Sequence, residues 1–128
     1  MKKLFLIFVM LLIAHSVFAV ELSELRIVAD DGTLLGTLEN KFSSDSIFNE
    51  FGKYGSKFNS NSLLNKFGRY GNEFSQYSPF NEHSNRGPIL VDKNGNVYGR
   101  VTLNKYARGV TDLSYKVAVM LKNMQDSM

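Results

Sequence analysis

Apolar and polar positions alternate in several distinct ways along this chain, and each pattern predicts a different element. From Leu4 to Ala14 the residues are apolar without interruption (LFLIFVMLLIA). Later, Ile27-Val28-Ala29 and Leu34-Leu35-Gly36-Thr37-Leu38 are two short apolar runs flanking Asp30-Asp31-Gly32. The same design returns sixty-three residues on, as Leu90-Val91 and Val97-Tyr98-Gly99-Arg100-Val101 around Asn94-Gly95. Two extended runs joined by Asp-Gly or Asn-Gly predict β-hairpins with type I′ turns, over residues 25–39 and 89–103. Gly36 and Gly99 occupy matching places in the second strands, where a bulge or a close backbone approach is expected. In the second hairpin Val97, Gly99, Val101 and Leu103 alternate with Tyr98, Arg100 and Thr102, which predicts one buried face and one wet face. A two-stranded hairpin is marginal alone, so both are expected to pair into one antiparallel sheet.

Between the hairpins the period changes to sixteen. Residues 42–57 (FSSDSIFNEFGKYGSK), 58–73 (FNSNSLLNKFGRYGNE) and 74–87 (FSQYSPFNEHSNRG) align, the third copy being degenerate. Phe42, Phe58 and Phe74 share one register, and Asn49, Asn65 and Asn81 share another. Ser43, Asn59 and Ser75 are candidate caps of a single helical turn. The Phe-Gly-x-Tyr-Gly that follows holds too much glycine for a helix interior and predicts a tight turn or bulged segment. Sixteen residues cannot bury their own apolar face, so each unit is expected to lay its Phe, Ile/Leu and Tyr against a neighbour or the sheet. Past the second hairpin, Leu113, Val117, Leu121 and Met124 recur at helical spacing with Thr111 or Asp112 as cap. That predicts a C-terminal helix over 111–125 with Lys116 and Lys122 facing water. The fold expected is α+β: a small antiparallel sheet from two similar hairpins, three turn repeats between them, and one helix.

The Asn-x-Phe-Gly-x-Tyr-Gly and Ser-x-x-Ser patterns between hairpins resemble those of small exported bacterial proteins of no assigned activity. The resemblance covers about residues 25–104. It implies this architecture, with neither catalytic residues nor a ligand.

The leading apolar run decides the expected address. Lys2 and Lys3 precede it, His15 and Ser16 end it, and Val17-Phe18-Ala19 supplies a cleavage motif. Eleven apolar residues make a helix of about 17 Å, short of a ~30 Å hydrocarbon core. Residues 1–19 are therefore read as a signal peptide cut between Ala19 and Val20, and 20–128 as a single mature domain, secreted or periplasmic. The membrane is a partner only during export.

Charge then means less than it first suggests. The chain has fifteen Lys and Arg against twelve Asp and Glu; without Lys2 and Lys3, thirteen face twelve, a net of +1. Lysines and arginines are scattered singly, so no nucleic-acid partner is expected. The absence of cysteine removes disulfides and thiol chemistry.

Candidate chemistry is sparse. His83 falls at the aromatic register of Phe51 and Phe67, where a planar ring replaces a ring, and only loosely suggests a small hydrolase with Ser78, Ser84 or Asp92. Asp92-Lys93-Asn94-Gly95-Asn96 lacks the full ligand set of a calcium loop, and Asp30-Asp31-Gly32 is shorter still. No cofactor is expected. The remaining candidate is a contact surface of Tyr54, Tyr70 and Tyr77 with Lys53 and Arg69, repeated and so suited to weak multivalent contacts; the other reading packs these tyrosines between repeats with their hydroxyls reaching solvent. The reading is a non-catalytic interaction or structural module for an unknown protein or glycan of the cell envelope, with glycan or cell-wall binding as the alternative.

Overall fold

The computed structural model describes residues 20–127; the leader expected over 1–19 lies outside them. A 3-10 turn (Leu22–Glu24) leads into strands β1 (Arg26–Val28) and β2 (Leu34–Thr37). Strands β3 (Ile89–Val91) and β4 (Val97–Arg100) follow the repeats, and helix α1 (Asp112–Asp126) ends the described chain. The four strands form one antiparallel sheet in the order β2-β1-β3-β4. The fold is α+β, with both hairpins joined in a single sheet.

The sheet carries an internal two-fold relation. Ile27 faces Leu90 at its centre, with Arg26 opposite Val91 and Val28 opposite Ile89. On either side, Ile27 faces Gly36 and Leu90 faces Gly99, each next to a register shift that marks a bulge. Both glycines have positive φ, 127° and 130°. A Cβ on Gly36 would stand 2.6 Å from Cγ2 of Ile47, and one on Gly99 would stand 2.5 Å from Oγ1 of Thr111. Each hairpin thus uses its inner glycine to seat whatever the chain builds next: the repeats on the first, the helix N-terminus on the second.

The hairpin tips differ from expectation. Type I′ turns require positive φ at both central residues, and no non-glycine residue has it among the described residues. Instead the N–H of Gly32 bonds to the carbonyl of Ala29 (2.9 Å) and the N–H of Ala29 to the carbonyl of Thr33 (2.8 Å). Asp92, Gly95 and Asn96 repeat the arrangement. These are three-residue loops in which glycine alone takes the left-handed conformation. The alternation expected in the second hairpin also fails at its tip, where Val97 is 63% exposed, and beyond the strand, where Thr102 is buried.

Residues 42–87 form neither helix nor named strand. The chain advances in three-residue steps, each closed by an amide bonding to the carbonyl three residues back: Ser43 to Asn40, Ser46 to Ser43, Asn49 to Ser46, Gly52 to Asn49. The second repeat does the same from Asn59 to Gly68. Asn59 and Ser75 accept the N–H two residues on, from Asn61 and Tyr77, so they open Asx and Ser turns and do not cap helical turns. Ser46, Ser62 and Ser78 are fully buried. Ser62 Oγ accepts from the N–H of Leu64 (3.1 Å) and donates to the carbonyl of Tyr54 (3.0 Å), tying one step of the spiral to the previous turn. At Gly55 and Gly71 a Cβ would overlap the Asn49 and Asn65 carbonyls, which is why the Gly-x-Tyr-Gly corner tolerates nothing larger.

Both sheet edges are covered. The N–H of Thr37 bonds to the carbonyl of Asp45 and that of Ile47 to the carbonyl of Thr37. On the far edge the N–H of Arg100 bonds to the carbonyl of Gly109. No long unpaired edge is left to recruit another strand. Ile27, Leu35 and Leu90 from the sheet, Ile47 and Leu63 from the repeats, and Leu121 from α1 meet in one buried cluster. Thr111 and Ser114 form a reciprocal capping box at the start of α1. Lys116 faces water as expected, whereas Lys122 is largely covered, its side chain 28% exposed.

Candidate functional site

Of the two places open to the repeat tyrosines, a contact surface or packing between repeat and sheet, they take the packed one. Tyr54 and Tyr70 belong to the core cluster, and Tyr77 is half-buried against it. The Tyr54 and Tyr70 rings occupy the inward side of the Gly-x-Tyr-Gly corners, so they hold repeats to the sheet and offer little contact area. Lys53 lies over the Tyr54 ring, its Nζ 5.5 Å from the centroid. Arg69 is 55% exposed and stands beside Tyr77, with its guanidinium 4.2 Å from the ring centroid; Arg86 flanks the same ring at 4.6 Å.

These groups belong to a cluster assembled from distant parts of the chain. Tyr70 Oη donates to Asp31 at 2.7 Å and lies 3.2 Å from Thr33 Oγ1, while Arg69 sits 3.8 Å from the same carboxylate. Arg86 Nε donates to Asp30 at 3.0 Å, and Arg100 lies 3.7 Å from Asp30. The Tyr70 hydroxyl, with help from Thr33 and the Arg69 charge, holds the Asp31 carboxyl below its ordinary range. Burial, foremost, pushes the Tyr70 phenol above its ordinary range. Three arginines separated in sequence thus converge on two neighbouring aspartates, and their charge is spent inside the molecule, fastening the first hairpin tip to the repeats.

The exposed aromatics are the phenylalanines. Phe42, Phe51, Phe58, Phe67 and Phe74 are between 82% and 95% exposed, and Tyr106 is 95% exposed. The expectation that every repeat phenylalanine packs inward is therefore overturned. Side-chain hydrogen bonds supply the reason. Asn49 Oδ1 accepts the N–H of Phe51 while its Nδ2 donates to the Ser43 carbonyl, both at 3.1 Å. Asn65 makes the same pair with Phe67 and Asn59. The amide plane fills the inner side of the turn, and the ring two residues on is left outside. Turns opened by the buried serines Ser46, Ser62 and Ser78 instead send Phe48, Leu64 and Phe80 toward the core.

A sequence pattern accompanies the outward rings. Each outward ring follows an Asn or Ser and then a charge: Asn40-Lys41-Phe42, Asn49-Glu50-Phe51, Ser56-Lys57-Phe58, Asn65-Lys66-Phe67 and Asn72-Glu73-Phe74. Asn81-Glu82-His83 and Asn104-Lys105-Tyr106 extend the series. The last lies beyond the second hairpin, where Asn104 bonds the Ser84 carbonyl and the Tyr106 N–H as the repeat asparagines do. His83 keeps its aromatic register, yet it is exposed and not packed.

Between Phe58, Phe67 and Phe74 the surface is grooved. Phe58 and Phe67 wall a cleft of about 380 Å³ with Lys57, Leu64, Asn65 and Lys66. Phe67 and Phe74 wall the next, about 280 Å³, with Asn72, Glu73 and Lys122. Gln125 of α1 lines both, its Nε2 donating to the carbonyls of Leu63 (3.0 Å) and Gly71 (2.9 Å). His83 lines a third cleft with Glu82, Tyr106 and Tyr115.

The serine and aspartate candidates stand apart from that histidine cleft. Ser84 Oγ donates to the Gln76 carbonyl and accepts the Arg86 N–H, and Ser78 Oγ accepts the Phe80 N–H. Asp92 closes the second hairpin tip, accepting from Asn94, Asn96 and Tyr98; the Asn96 amide, first among these, holds its carboxyl below the ordinary range. None of the three lines the cleft beside His83. The Asp92 carboxylate is thus spent on its own turn.

No family model matches the sequence, and neither a curated protein nor a solved structure matches it.

Proposed function

We propose that this protein is an exported, non-catalytic interaction module that meets its partner through the outward aromatic row of its repeats. One observation carries the reading: five phenylalanines stand more than four-fifths exposed, each held by a hydrogen-bonded turn. Soluble domains seldom leave so much apolar surface open unless something covers it. The turns also orient the rings before any partner arrives, which lowers the entropy lost on contact. The contact residues move accordingly from Tyr54, Tyr70 and Tyr77 to Phe51, Phe58, Phe67 and Phe74. Lys53 and Arg69 remain at the margin.

Export rests on the leader pattern. Among the described residues no helix is long and apolar enough to cross a membrane.

A photo-crosslinking phenylalanine analogue at position 67 should yield adducts in envelope fractions, whereas the same probe at exposed Val97 on the hairpin tip should not. Equal labelling at both positions removes the aromatic row from the proposal. A purified product beginning at Met1 removes the export.

A further inference from the structure

Resting on that reading, we infer that the occupant of the aromatic row is an uncharged polysaccharide chain. Four features of the surface point to this chemistry. The two clefts beside Phe67 combine a ring wall with a polar rim: Lys57, Asn65 and Lys66 on one side, Asn72, Glu73 and Lys122 on the other. A pyranose has the matching division, an apolar C–H face that stacks on a ring and hydroxyls around its edge. Wall and rim together suit a sugar better than a hydrocarbon chain, which needs no rim.

Charge is the second feature. The residues preceding the outward rings are Lys41, Glu50, Lys57, Lys66, Glu73, Glu82 and Lys105, so both signs are interspersed along the row. At the two clefts Lys66 and Lys122 are engaged by Asp126 (3.8 and 3.3 Å) and Lys122 also by Glu73 (4.0 Å), which leaves Lys57 to carry the net charge, too little to concentrate a polyanion or to gain much from counterion release. Nucleic acid and anionic polymers are disfavoured on that ground. A bilayer is disfavoured because each ring entering it would bring a charged neighbour, Glu50, Glu73 and Glu82 included, toward the hydrocarbon.

The third feature is recurrence. Rings return in two registers, Phe42/Phe58/Phe74 and Phe51/Phe67/His83, at a fixed sixteen-residue period. A surface that repeats fits a ligand that repeats, and contacts too weak alone add when one chain spans several of them. Finally, the covered sheet edges leave no strand for an extended peptide to join, so main-chain pairing is not the mode of recognition.

Chitin and cellulose are suitable insoluble probes, with N-acetylglucosamine oligomers of two and six units for calorimetry. Retention on at least one polysaccharide is expected, with the six-unit oligomer bound at least tenfold more tightly than the two-unit one. Raising salt from 50 to 500 mM should change the affinity less than twofold. The triple variant F58A/F67A/F74A should lose at least tenfold in affinity with an unchanged melting temperature, since its rings are exposed in the fold. Absence of retention on both polysaccharides, unchanged binding by the triple variant, or a tenfold loss with salt overturns the inference. Two further arms separate its failure from that of the broader reading. Ring-dependent binding to phosphatidylcholine vesicles, or ring-dependent self-association by sedimentation, overturns the glycan and leaves the aromatic surface standing. A triple variant indistinguishable from the parent in every arm overturns both.

Discussion

Tyr70 and Asp31, thirty-nine residues apart, are joined by a 2.7 Å hydrogen bond from phenol to carboxylate that fastens the second repeat to the first hairpin tip. The bond favours the charged carboxyl and the neutral phenol, lowering one pKa and adding to the burial that raises the other. A carboxyl depressed in the fold contributes stability above its ordinary value of 3.8, and that contribution fades as pH falls through the lower folded value. The parent should therefore melt above D31N at pH 7, with the gap closing in strong acid below 3.8. A gap that is constant from pH 7 to strong acid would show that the Asp31 charge does no such work.

The same pair sets an alkaline limit. A phenol raised in the fold contributes stability below its ordinary 10.0, and loses it as pH rises through the higher folded value. Relative to Y70F, the parent should lose melting temperature above pH 10. Parallel curves for the two proteins between pH 8 and 11 would contradict the assignment.

Gly36 and Gly32 separate conformational strain from steric overlap. Both have positive φ, but a Cβ at Gly32 meets nothing within 4 Å, whereas one at Gly36 meets Ile47 at 2.6 Å and Tyr54 at 3.0 Å. G32A should cost about 1–2 kcal/mol from the left-handed backbone alone. G36A adds displacement of the first repeat and should cost roughly 3 kcal/mol or more. Urea unfolding of the two variants gives the comparison directly; equal midpoints would mean that the repeat is not seated on that glycine.

Ser62 and Ser60 test the turn spiral in the same manner. Ser62 is buried with its hydroxyl accepting from Leu64 and donating to the Tyr54 carbonyl, while Ser60 is exposed. S62A strands buried partners and should cost about 1–3 kcal/mol. S60A should stay within roughly 0.5 kcal/mol of the parent. Chemical denaturation resolves a difference of that size.

Gln125 is the polar link from helix to repeats. Its Nε2 donates to two buried carbonyls, so Q125L leaves both without a partner and should destabilise by about 2–4 kcal/mol. Amide exchange should quicken first in residues 63–71, the segment released. If Q125L matches the parent in stability, packing and the Lys66–Asp126 and Lys122–Glu73 ion pairs hold α1 to the second repeat without the amide.

Much of the architecture was legible locally. The paired Asp-Gly and Asn-Gly runs specify two hairpins, and the Leu113–Met124 spacing specifies the helix. The resemblance between hairpins carries over into the two-fold sheet, because equivalent sequences pair most simply with each other across a central Ile27–Leu90 contact. Turn type was misread because Asp-Gly serves both two-residue and three-residue loops, and only the hydrogen-bond register separates them. The outward place of the phenylalanines was not legible, for a different reason. Phe67 and Tyr70 lie three residues apart in one corner, yet one is exposed and the other buried. Hydrophobicity alone ranks the phenylalanine as the interior residue.

Periodicity in one dimension, then, sufficed for which segments turn, extend or coil, since turn chemistry and helical or strand spacing act over a few neighbouring residues. Sidedness within each repeat, and the gathering of Arg69, Arg86 and Arg100 around Asp30 and Asp31, depended on three dimensions. Asparagine carboxamides that satisfy the backbone inside a turn exclude the following ring, and a tyrosine long enough to reach a distant carboxylate takes the interior place. Those choices are made only when the repeats close against the sheet.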